Sequence, residues 1–403
     1  MKSSFTHIHR ESYFPEECPV SVKYSKKSLI IGIPKENRQV EKRLPLTPEA
    51  VAQLVEAGHR VIVESEAGLG INYADIHYSE AGAEIADSPA EVFLSDIILK
   101  ISQPAFDEIQ MMKPGAVIFS MLQFTPQSLR IIEAMLEKKI NAVGYELIGD
   151  DDGSRPIVKS ISEIEGNYVI TVASELLSNS FGGKGVLLGG IPGISPTEVI
   201  ILGAGLSGLV AARAAMALGA TVKVFDYDID HLRTARERLG NNLFTSNFHD
   251  KVFRNALKSA DVIIGTIRYI NGSERFQVPE ELVRIMKKGA VIIDLSVGHG
   301  GCFATSDCEP EKQPKVYEKF GILHYCVPNL SSRVARTAAM AMSNILVPLI
   351  LDAGNHPHLN NLIKAESSFR SGIYLYKGKV VNRYVSGYFN LPLSDIGLYL
   401  EGF

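Results

Sequence analysis

The chain of 403 residues has no tryptophan and few cysteines. The four cysteines are scattered without a CxxC pair, at Cys18, Cys302, Cys308 and Cys326. This spacing indicates neither a disulfide framework nor a zinc site, so no metal is expected and a reducing cytoplasm is the predicted compartment. No run of about 18 apolar residues occurs, and we therefore expect no insertion into a membrane.

An excess of one charge is also lacking. The chain carries 41 lysine and arginine residues against 45 aspartate and glutamate residues, a formal net charge of −4. This balance gives no reason to expect nucleic acid as a partner. Residues 1–28 contain charges and prolines without an apolar segment, so an irregular leader is predicted there rather than a signal peptide.

A glycine-rich turn is the most informative pattern that is present. The apolar run Val199–Leu202 predicts a buried parallel strand, and the sequence GAGLSG and a helix-forming segment follow it. Gly203 permits a tight turn, and Gly205 lets the backbone approach a pyrophosphate at the positive end of the helix. Gly208 lets the helix and the strand pack closely. The pattern therefore predicts a dinucleotide site.

An acidic residue completes this pattern. The second apolar run, Thr221–Phe225, ends in Asp226, about 20 residues beyond the glycines, where a carboxylate accepts hydrogen bonds from the adenosine ribose. Leu206 and Ser207 lie between the second and third glycines and are expected to contact the same cofactor. A carboxylate would repel a 2′-phosphate, so NAD is the predicted cofactor rather than NADP.

Alternating apolar runs and helical segments organise the whole chain. Strands are predicted at residues 29–33, 61–64, 97–101, 116–120 and 142–145, and later at 262–265, 290–295 and 323–325. Helices are predicted at residues 49–57, 89–94 and 126–138, with two long helices at 160–180 and 332–352. Such alternation is typical of parallel sheets. The tail, residues 372–389, is predicted to be a hairpin.

The predicted fold class is α/β, with two doubly wound Rossmann-like domains joined by two long helices and a cleft between them. After the leader, residues 29–165 and 332–403 are expected to form a substrate (catalytic) domain, and residues 166–331 the NAD-binding domain. Because ligands in such folds bind beyond the carboxyl ends of the strands, the cleft is the expected reaction site.

Several motifs resemble those of the alanine dehydrogenases and of the NAD-binding subunit of proton-translocating transhydrogenase. They are Ile31–Glu36, Arg43–Pro48, Gly185–Gly193, Gly300–Phe303, Tyr325–Asn329 and Lys377–Asn382. The resemblance covers roughly residues 28–390 and is closest to alanine dehydrogenase. It implies NAD-linked, reversible oxidative deamination of alanine to pyruvate and ammonia, and a homo-oligomer, either a hexamer or a dimer.

The resemblance implies a role for two pocket residues. Arg43 stands where the family has the arginine that binds the substrate carboxylate; the alternative is a solvated loop charge among other charged residues. Tyr145 belongs to a Tyr-Glu pair that matches the family at a strand end, and shaping the substrate pocket is its expected role.

Three other positions depart from the family pattern. The family's catalytic lysine is replaced by Ser102 and its acid/base histidine by Gln123, while its second aspartate near the nicotinamide is replaced by Gly298. Ser102 and Gln123 are still expected to line the substrate pocket. A glutamine does not transfer protons and a serine carries no positive charge. Either other residues perform the chemistry, the reaction differs, or there is none.

Lys100 and His299 are the candidate catalytic replacements, with Tyr145 as a third. Lys100 is the first lysine of the family's Lys-x-Lys motif, and the alternative for it is a packed or capping residue. His299 follows the lost aspartate in a glycine-flanked loop, where a titratable imidazole is chemically suitable. The alternative for His299 is a loop histidine that bonds to the backbone.

Three further residues are expected beside the cofactor. Ser162 matches a family serine that touches NAD from the start of the linking helix, although a helix cap would explain it equally well. Val297 and Asn329 lie at strand ends where the nicotinamide is expected.

Three functions remain open from the sequence. The first is an NAD-dependent oxidoreductase acting on alanine or a related small amino acid. The second is a transhydrogenase-like subunit that passes hydride to a partner, and the third is an NAD sensor or scaffold without turnover.

Overall fold

The computed structural model of the chain describes residues 28–149, 153–267, 276–306, 316–355 and 367–400. The expected leader, apart from its last residue, and two of the cysteines, Cys18 and Cys308, lie outside these ranges. The described residues form two separate sheets flanked by helices.

The first sheet has eight strands in the described part of the chain, in the order β15-β14-β6-β5-β4-β1-β2-β3. Strands β1 to β6 are parallel, and the β14–β15 hairpin adds antiparallel to β6. The strands are β1 (Ile30–Ile33), β2 (Arg60–Glu64), β3 (Glu84–Ala86), β4 (Ile97–Leu99), β5 (Val117–Ser120), β6 (Asn141–Gly144), β14 (Ile373–Tyr376) and β15 (Lys379–Val380).

The second sheet has seven strands within the described ranges, in the order β12-β13-β11-β10-β7-β8-β9, and only the edge strand β12 is antiparallel. They are β7 (Glu198–Leu202), β8 (Thr221–Phe225), β9 (Phe244–Ser246), β10 (Val262–Gly265), β11 (Val291–Asp294), β12 (Val316–Lys319) and β13 (Ile322–Tyr325). Central strands such as β10 and β11 are buried throughout, which explains their continuous apolar sequences.

Helices cover both faces of each sheet. They are α1 (Pro48–Glu56), α2 (Asp75–Glu80), α3 (Pro89–Phe93), α4 (Phe106–Met111), α5 (Leu129–Glu137), α6 (Pro156–Leu177), α7 (Leu206–Ala217), α8 (Ile229–Leu239), α9 (Asp250–Ser259), α10 (Glu280–Val283), α11 (Ala335–Asn355), α12 (Ser367–Ser371), α13 (Arg383–Phe389) and α14 (Gly397–Leu400). Short 3-10 helices occur at Ala67–Ile71, Pro126–Ser128, Asn179–Phe181, Val297–His299 and Leu330–Val334.

Two long helices link the two domains. The first turns of α6 bury Ile157 and Ile161 in the core of the first sheet, whereas its later turns bury Val169 and Leu176 in the core of the second. Helix α11 packs against α6 and returns the chain to the first sheet, where its Met342 is buried. The predicted fold class, two doubly wound α/β domains joined by two long helices with a cleft between them, is confirmed.

Each sheet has a point at which the direction of winding reverses. In the first sheet it lies between β1 and β4, and in the second between β7 and β10. Chains that leave neighbouring strands in opposite directions open a crevice beyond the carboxyl ends. The loops after β1, β4, β7 and β10 therefore form the two crevices in which ligands are expected.

Two predictions of local structure were wrong, and three short strands were missed. The linking helix begins at Pro156 rather than at residue 160. The tail is a hairpin only as far as Val380; the Asn382 side chain then accepts hydrogen bonds from the amides of Tyr384 and Val385 and caps helix α13. Strands β3, β9 and β12 were missed because they are short and have few apolar residues.

One helix among the described residues, Leu330–Asp352, is long and apolar enough by composition to cross a membrane. Its apolar residues include Ala338, Met342 and Leu346, which lie in the core of the first sheet. Burial in this core accounts for these apolar residues.

Candidate active site

The glycine turn joins β7 to α7 as the sequence predicted. Gly203 has φ of +103°, in the left-handed region that favours glycine, and a side chain at Gly208 would overlap the carbonyl oxygen of Gly203. A side chain at Gly205 would meet no atom within 4 Å. No side chain caps the first turn of α7, which begins at Leu206. The open turn and the uncapped amides suit a bound pyrophosphate.

Asp226 lies at the end of β8 beside this turn. Its Oδ2 accepts the amide of Ala204 at 2.6 Å and its Oδ1 accepts the amide of Asp228 at 2.9 Å. His231 Nδ1 lies 3.4 Å from Oδ2. The carboxylate is thereby fixed next to the turn with lone pairs left over, as ribose binding requires.

Tyr227, which follows Asp226, belongs to a cluster of aromatic rings that no sequence motif indicated. Tyr227 is 59% exposed, and its ring centroid lies 4.5 Å from Phe248 and 5.5 Å from Phe276. Phe248 and Phe276 are themselves 4.5 Å apart. The rings come from segments that follow β8, β9 and β10, and the exposed ring of Tyr227 offers an apolar face to a purine base.

The other expected cofactor residues are dispersed. Ser162 is buried in the second turn of α6, so it cannot cap a helix that begins at Pro156, and the capping alternative was wrong. Ser207 is buried, and its carbonyl oxygen would lie 2.5 Å from a side chain at Gly166, so α6 and α7 pack closely here.

Two of the residues expected beside the cofactor follow strands of the second sheet. Val297 is buried in the 3-10 helix after β11. Asn329 is exposed after β13, with φ of +56°, and its neighbour Leu330 is buried. Both therefore lie at carboxyl ends of strands.

Arg43 is buried where the two domains meet. Its Nε and Nη2 donate to the two carboxylate oxygens of Glu41, at 2.8 and 2.6 Å, and its Nη1 donates to Ser331 Oγ at 3.0 Å. Ser331 in turn donates to Glu165 of α6 at 3.3 Å. Burial acts to lower the pKa of Arg43, but Glu41, Glu165 and Glu36 outweigh it and raise the pKa. The alternative of a solvated loop charge was wrong.

Lys100 lies between two carboxylates at the crevice of the first sheet. Its Nζ is 3.1 Å from Glu36 and 3.2 Å from Glu108. Burial acts to lower the pKa of Lys100, but the two carboxylates outweigh it and raise the pKa above the ordinary value of 10.5. The Lys100 ammonium therefore stays protonated at physiological pH.

Glu36 also organises the loop that carries Ser102. Its Oε1 accepts the amides of Ile101 and Ser102, at 2.5 and 3.1 Å. The Glu36 carboxylate thus fixes the backbone that carries the half-buried Ser102 side chain. Glu36 follows β1 and Lys100 follows β4, the two neighbouring strands between which the winding of the first sheet reverses.

The other two departures from the family pattern are exposed. Gln123 has φ of +31°, and its amide donates to Glu146 Oε1 at 2.9 Å. A side chain at Gly298 would meet no atom within 4 Å. Both positions have room for a larger side chain.

Tyr145 is fully buried, and its hydroxyl has no hydrogen-bond partner among the described residues. Burial, together with the charge of Glu36, holds the pKa of Tyr145 well above 10. Its ring lies beside Phe119, in the core of the first sheet. Tyr145 is therefore placed to shape the floor of the crevice rather than to exchange protons.

His299 is exposed at the end of a 3-10 helix. Asp294 fixes this loop by accepting the amides of Ser296 and Cys302, at 2.9 and 2.7 Å, and the hydroxyl of Ser306 at 2.6 Å. The loop is thus rigid at its base and presents an imidazole at its tip.

Four residues that build the arginine and lysine sites were not singled out from the sequence: Glu36, Glu41, Glu165 and Ser331. Glu36 ends the first motif and Glu41 lies two residues before Arg43, and an unpaired buried arginine would be costly. Glu165 and Ser331 carried no local signal, because they meet Arg43 only through the packing of the two domains.

The fold and the two crevices define a class: a two-domain protein that binds a dinucleotide in one domain and holds a buried cation against the other. The family model described as "Alanine dehydrogenase/PNT, N-terminal domain" matches residues 32–165. The model described as "Alanine dehydrogenase/PNT, C-terminal domain" matches residues 169–383. The chain belongs to the alanine dehydrogenase/PNT family, whose cofactor is NAD.

Relatives match over nearly their whole length. An alanine dehydrogenase of Methanococcus maripaludis is 35% identical over 367 residues, covering 91% of this chain and 98% of the relative. One of Geobacillus stearothermophilus is 32% identical, covering 92% and 100%. A solved L-alanine dehydrogenase superposes with a TM-score of 0.83 at 31% identity, covering 90% and 99%. A transhydrogenase of Sinorhizobium meliloti, 23% identical with a TM-score of 0.72 and covering 88% and 99%, shares the fold.

Proposed function

We propose that this protein is an NAD-dependent dehydrogenase that interconverts L-alanine, or a related small amino acid, with its keto acid and ammonia. The observation that carries this proposal is the buried Arg43. Three of its five N–H groups are bonded, to Glu41 and Ser331, which leaves two for a substrate carboxylate. A cation so fixed, beside the crevice and tied to the nucleotide domain, suits a carboxylate substrate.

The reaction removes a hydride from the amino-acid Cα, and water then replaces the resulting imine by a ketone and ammonia. Bound NAD supplies the hydride acceptor. The chain's own residues bind and orient: Arg43 holds the carboxylate, and Glu36 with Lys100 fixes the loop of Ser102. A proton leaves the substrate nitrogen, and a second leaves the attacking water.

We assign this proton transfer to His299 rather than to Lys100. Lys100 is held between two carboxylates and keeps its proton. An imidazole changes its protonation near physiological pH, and His299 lies on the loop that follows β11, beside Val297. Lys100 is then a positioning residue.

A second candidate function is NAD binding without amino-acid turnover, either as a sensor or scaffold or as a transhydrogenase-like subunit. Ser102, Gln123 and Gly298 favour it, because none of these side chains transfers a proton or carries a charge. Gln123 is exposed, and a side chain at Gly298 would meet open space among the described residues.

The test is a panel of amino acids with NAD at alkaline pH, and of keto acids with NADH and ammonium, followed by NADH absorbance. Turnover of alanine or of a near relative supports the dehydrogenase. Measurable NADH binding with no turnover of any member supports the second candidate.

Several finer points belong to the same proposal. Asp226 favours NAD over NADP through its negative charge, and Tyr227 stacks on the adenine with Phe248 and Phe276 behind it. Ser162, Leu206, Ser207, Val297 and Asn329 contribute to the cofactor site. Residues 29–165 and 332–403 form the substrate domain and residues 166–331 the NAD domain; the first of these boundaries lies close to that between the two family models, at residues 165 and 169. The protein acts in the cytoplasm as a homo-oligomer, a hexamer or a dimer.

A further inference from the structure

A separate cavity of about 330 Å³ lies where the loop after β1 meets the nucleotide domain. Its walls come from three parts of the chain: residues 38–42 of that loop, the last turns of α6, and residues 325–333 after β13. Phe181 and Val316 close its outer side. The volume is that of a small-molecule site.

Asn329, which is expected beside the cofactor, also lines this cavity, but the cavity extends away from the start of α6. Its α6 residues begin at Val172, ten positions beyond Ser162, which is about 15 Å along the helix axis. Arg43 and Ser331 are buried, whereas their neighbours Lys42 and Ser332 line the cavity. The cavity therefore adjoins the two segments that hold Arg43.

The charges that line the cavity are mainly positive. Arg38, Lys42 and Arg333 face a single carboxylate, Glu175. Arg333 is held in place by the Tyr325 hydroxyl at 3.3 Å and by Glu175 at 3.8 Å. Arg38 pairs with a glutamate outside the cavity, and Lys42 has no acidic partner in the described part of the chain.

The remaining walls are apolar. Buried Leu176 and Val327 form the floor, and exposed Phe181 and Val316 form the sides. A preformed cation opposite an apolar surface suits a ligand with an anionic end and an apolar body. Free phosphate would satisfy the charges and leave the apolar walls uncovered.

We propose that this cavity binds a small organic carboxylate with an aromatic or branched aliphatic body, with Lys42 and Arg333 on its carboxylate. Binding is coupled to the substrate site through adjacent contacts. The Lys42 amide donates to Ser332 Oγ at 2.8 Å, and Arg43 Nη1 donates to Ser331 Oγ at 3.0 Å. A ligand that draws Lys42 towards Arg333 shifts both pairs. This coupling rests on the proposed function, whereas the binding does not.

The test is a fluorine NMR titration of the full-length protein, saturated with NADH, with para-fluorobenzoate. Saturable binding with a Kd of about 1 mM or tighter is expected. Lys42→Gln and Arg333→Gln each weaken the binding about tenfold, which corresponds to one lost charge-assisted contact. The matched control Lys258→Gln removes an exposed charge on α9 and leaves the Kd unchanged.

Two results would overturn the binding proposal: no saturable binding to the NADH-saturated protein, or a Kd that Lys42→Gln does not change. The coupling is tested separately through the KM for the keto acid, which is expected to change about twofold or more with probe bound. An unchanged KM with intact binding refutes the coupling alone. A protein that binds the probe but turns over no substrate refutes the proposed function and leaves the site standing.

Discussion

Glu41 and Arg43 form a bidentate ion pair that is buried at the junction of the two domains, with N–O distances of 2.8 and 2.6 Å. Breaking such a pair leaves an uncompensated charge. We predict that Glu41→Gln lowers the free energy of unfolding by about 3 kcal/mol, measured by urea denaturation. The exposed pair of Arg38 and Glu66 provides the control, and Glu66→Gln should change the stability by less than about 1 kcal/mol. Equal effects of the two variants would show that the buried pair has no special role.

The glycine turn yields a contrast between two alanine variants. A methyl group at Gly205 meets no atom within 4 Å, so Gly205→Ala should keep the thermal midpoint of the wild type. The same methyl group would occupy the space where the pyrophosphate approaches, so NADH binding should weaken about tenfold or more. A methyl group at Gly208 overlaps the backbone of Gly203, so Gly208→Ala should lose both stability and NADH binding. Unchanged NADH affinity of Gly205→Ala would place the dinucleotide elsewhere.

The three departures from the family pattern can be reversed. The triple variant Ser102→Lys, Gln123→His, Gly298→Asp restores a charge and two proton-transferring groups; positions 123 and 298 are exposed and have room for the larger side chains. We predict that its kcat for alanine exceeds that of the wild type by on the order of 10²-fold. Gln110→His, on the exposed surface of α4, is the control. A triple variant no faster than the wild type would show that these positions do not face the reacting atoms.

His324 is expected to make stability depend on pH. It is buried in β13; its Nδ1 donates to the Ile322 carbonyl at 3.0 Å and its Nε2 accepts from the Thr305 hydroxyl at 2.9 Å. Burial lowers the pKa of His324 below 6.5, helped by Lys319. The unfolded chain then takes up a proton more readily than the native chain, so stability is lost as the pH falls below about 6.5.

The measurement is the thermal midpoint between pH 8 and pH 5, with Tyr317, which stacks on the imidazole, left intact. His324→Gln should show a shallower fall of the midpoint below about pH 6.5 than the wild type. Parallel curves for the two proteins would mean that another group governs the acid transition.

The fold could be predicted largely because its signals are local. Strands such as Val199–Leu202 and Val262–Gly265 are buried on both faces and read as apolar runs. The strands Glu84–Ala86 and Phe244–Ser246 were missed because each lies at a sheet edge, pairs with a single strand and is partly exposed. Such strands need few apolar residues.

The nucleotide site was predictable for the same reason, since its turn and its acid lie within one βαβ unit. The substrate site was not. Lys100 meets Glu36 across 64 residues of sequence, and Arg43 meets Ser331 across 288. Only the packing of two domains brings these groups together, and no periodicity within either segment encodes it.

NADH formation from NAD and L-alanine by the wild type and by Arg43→Lys tests the central claim most directly. A lysine keeps the charge and loses the planar fork that engages Glu41, Ser331 and a carboxylate together. We predict turnover by the wild type, a KM for alanine raised about tenfold or more in Arg43→Lys, and equal NADH binding in both. Arg38→Lys should match the wild type. Wild-type protein that binds NADH and forms none from alanine or any related amino acid would contradict the claim.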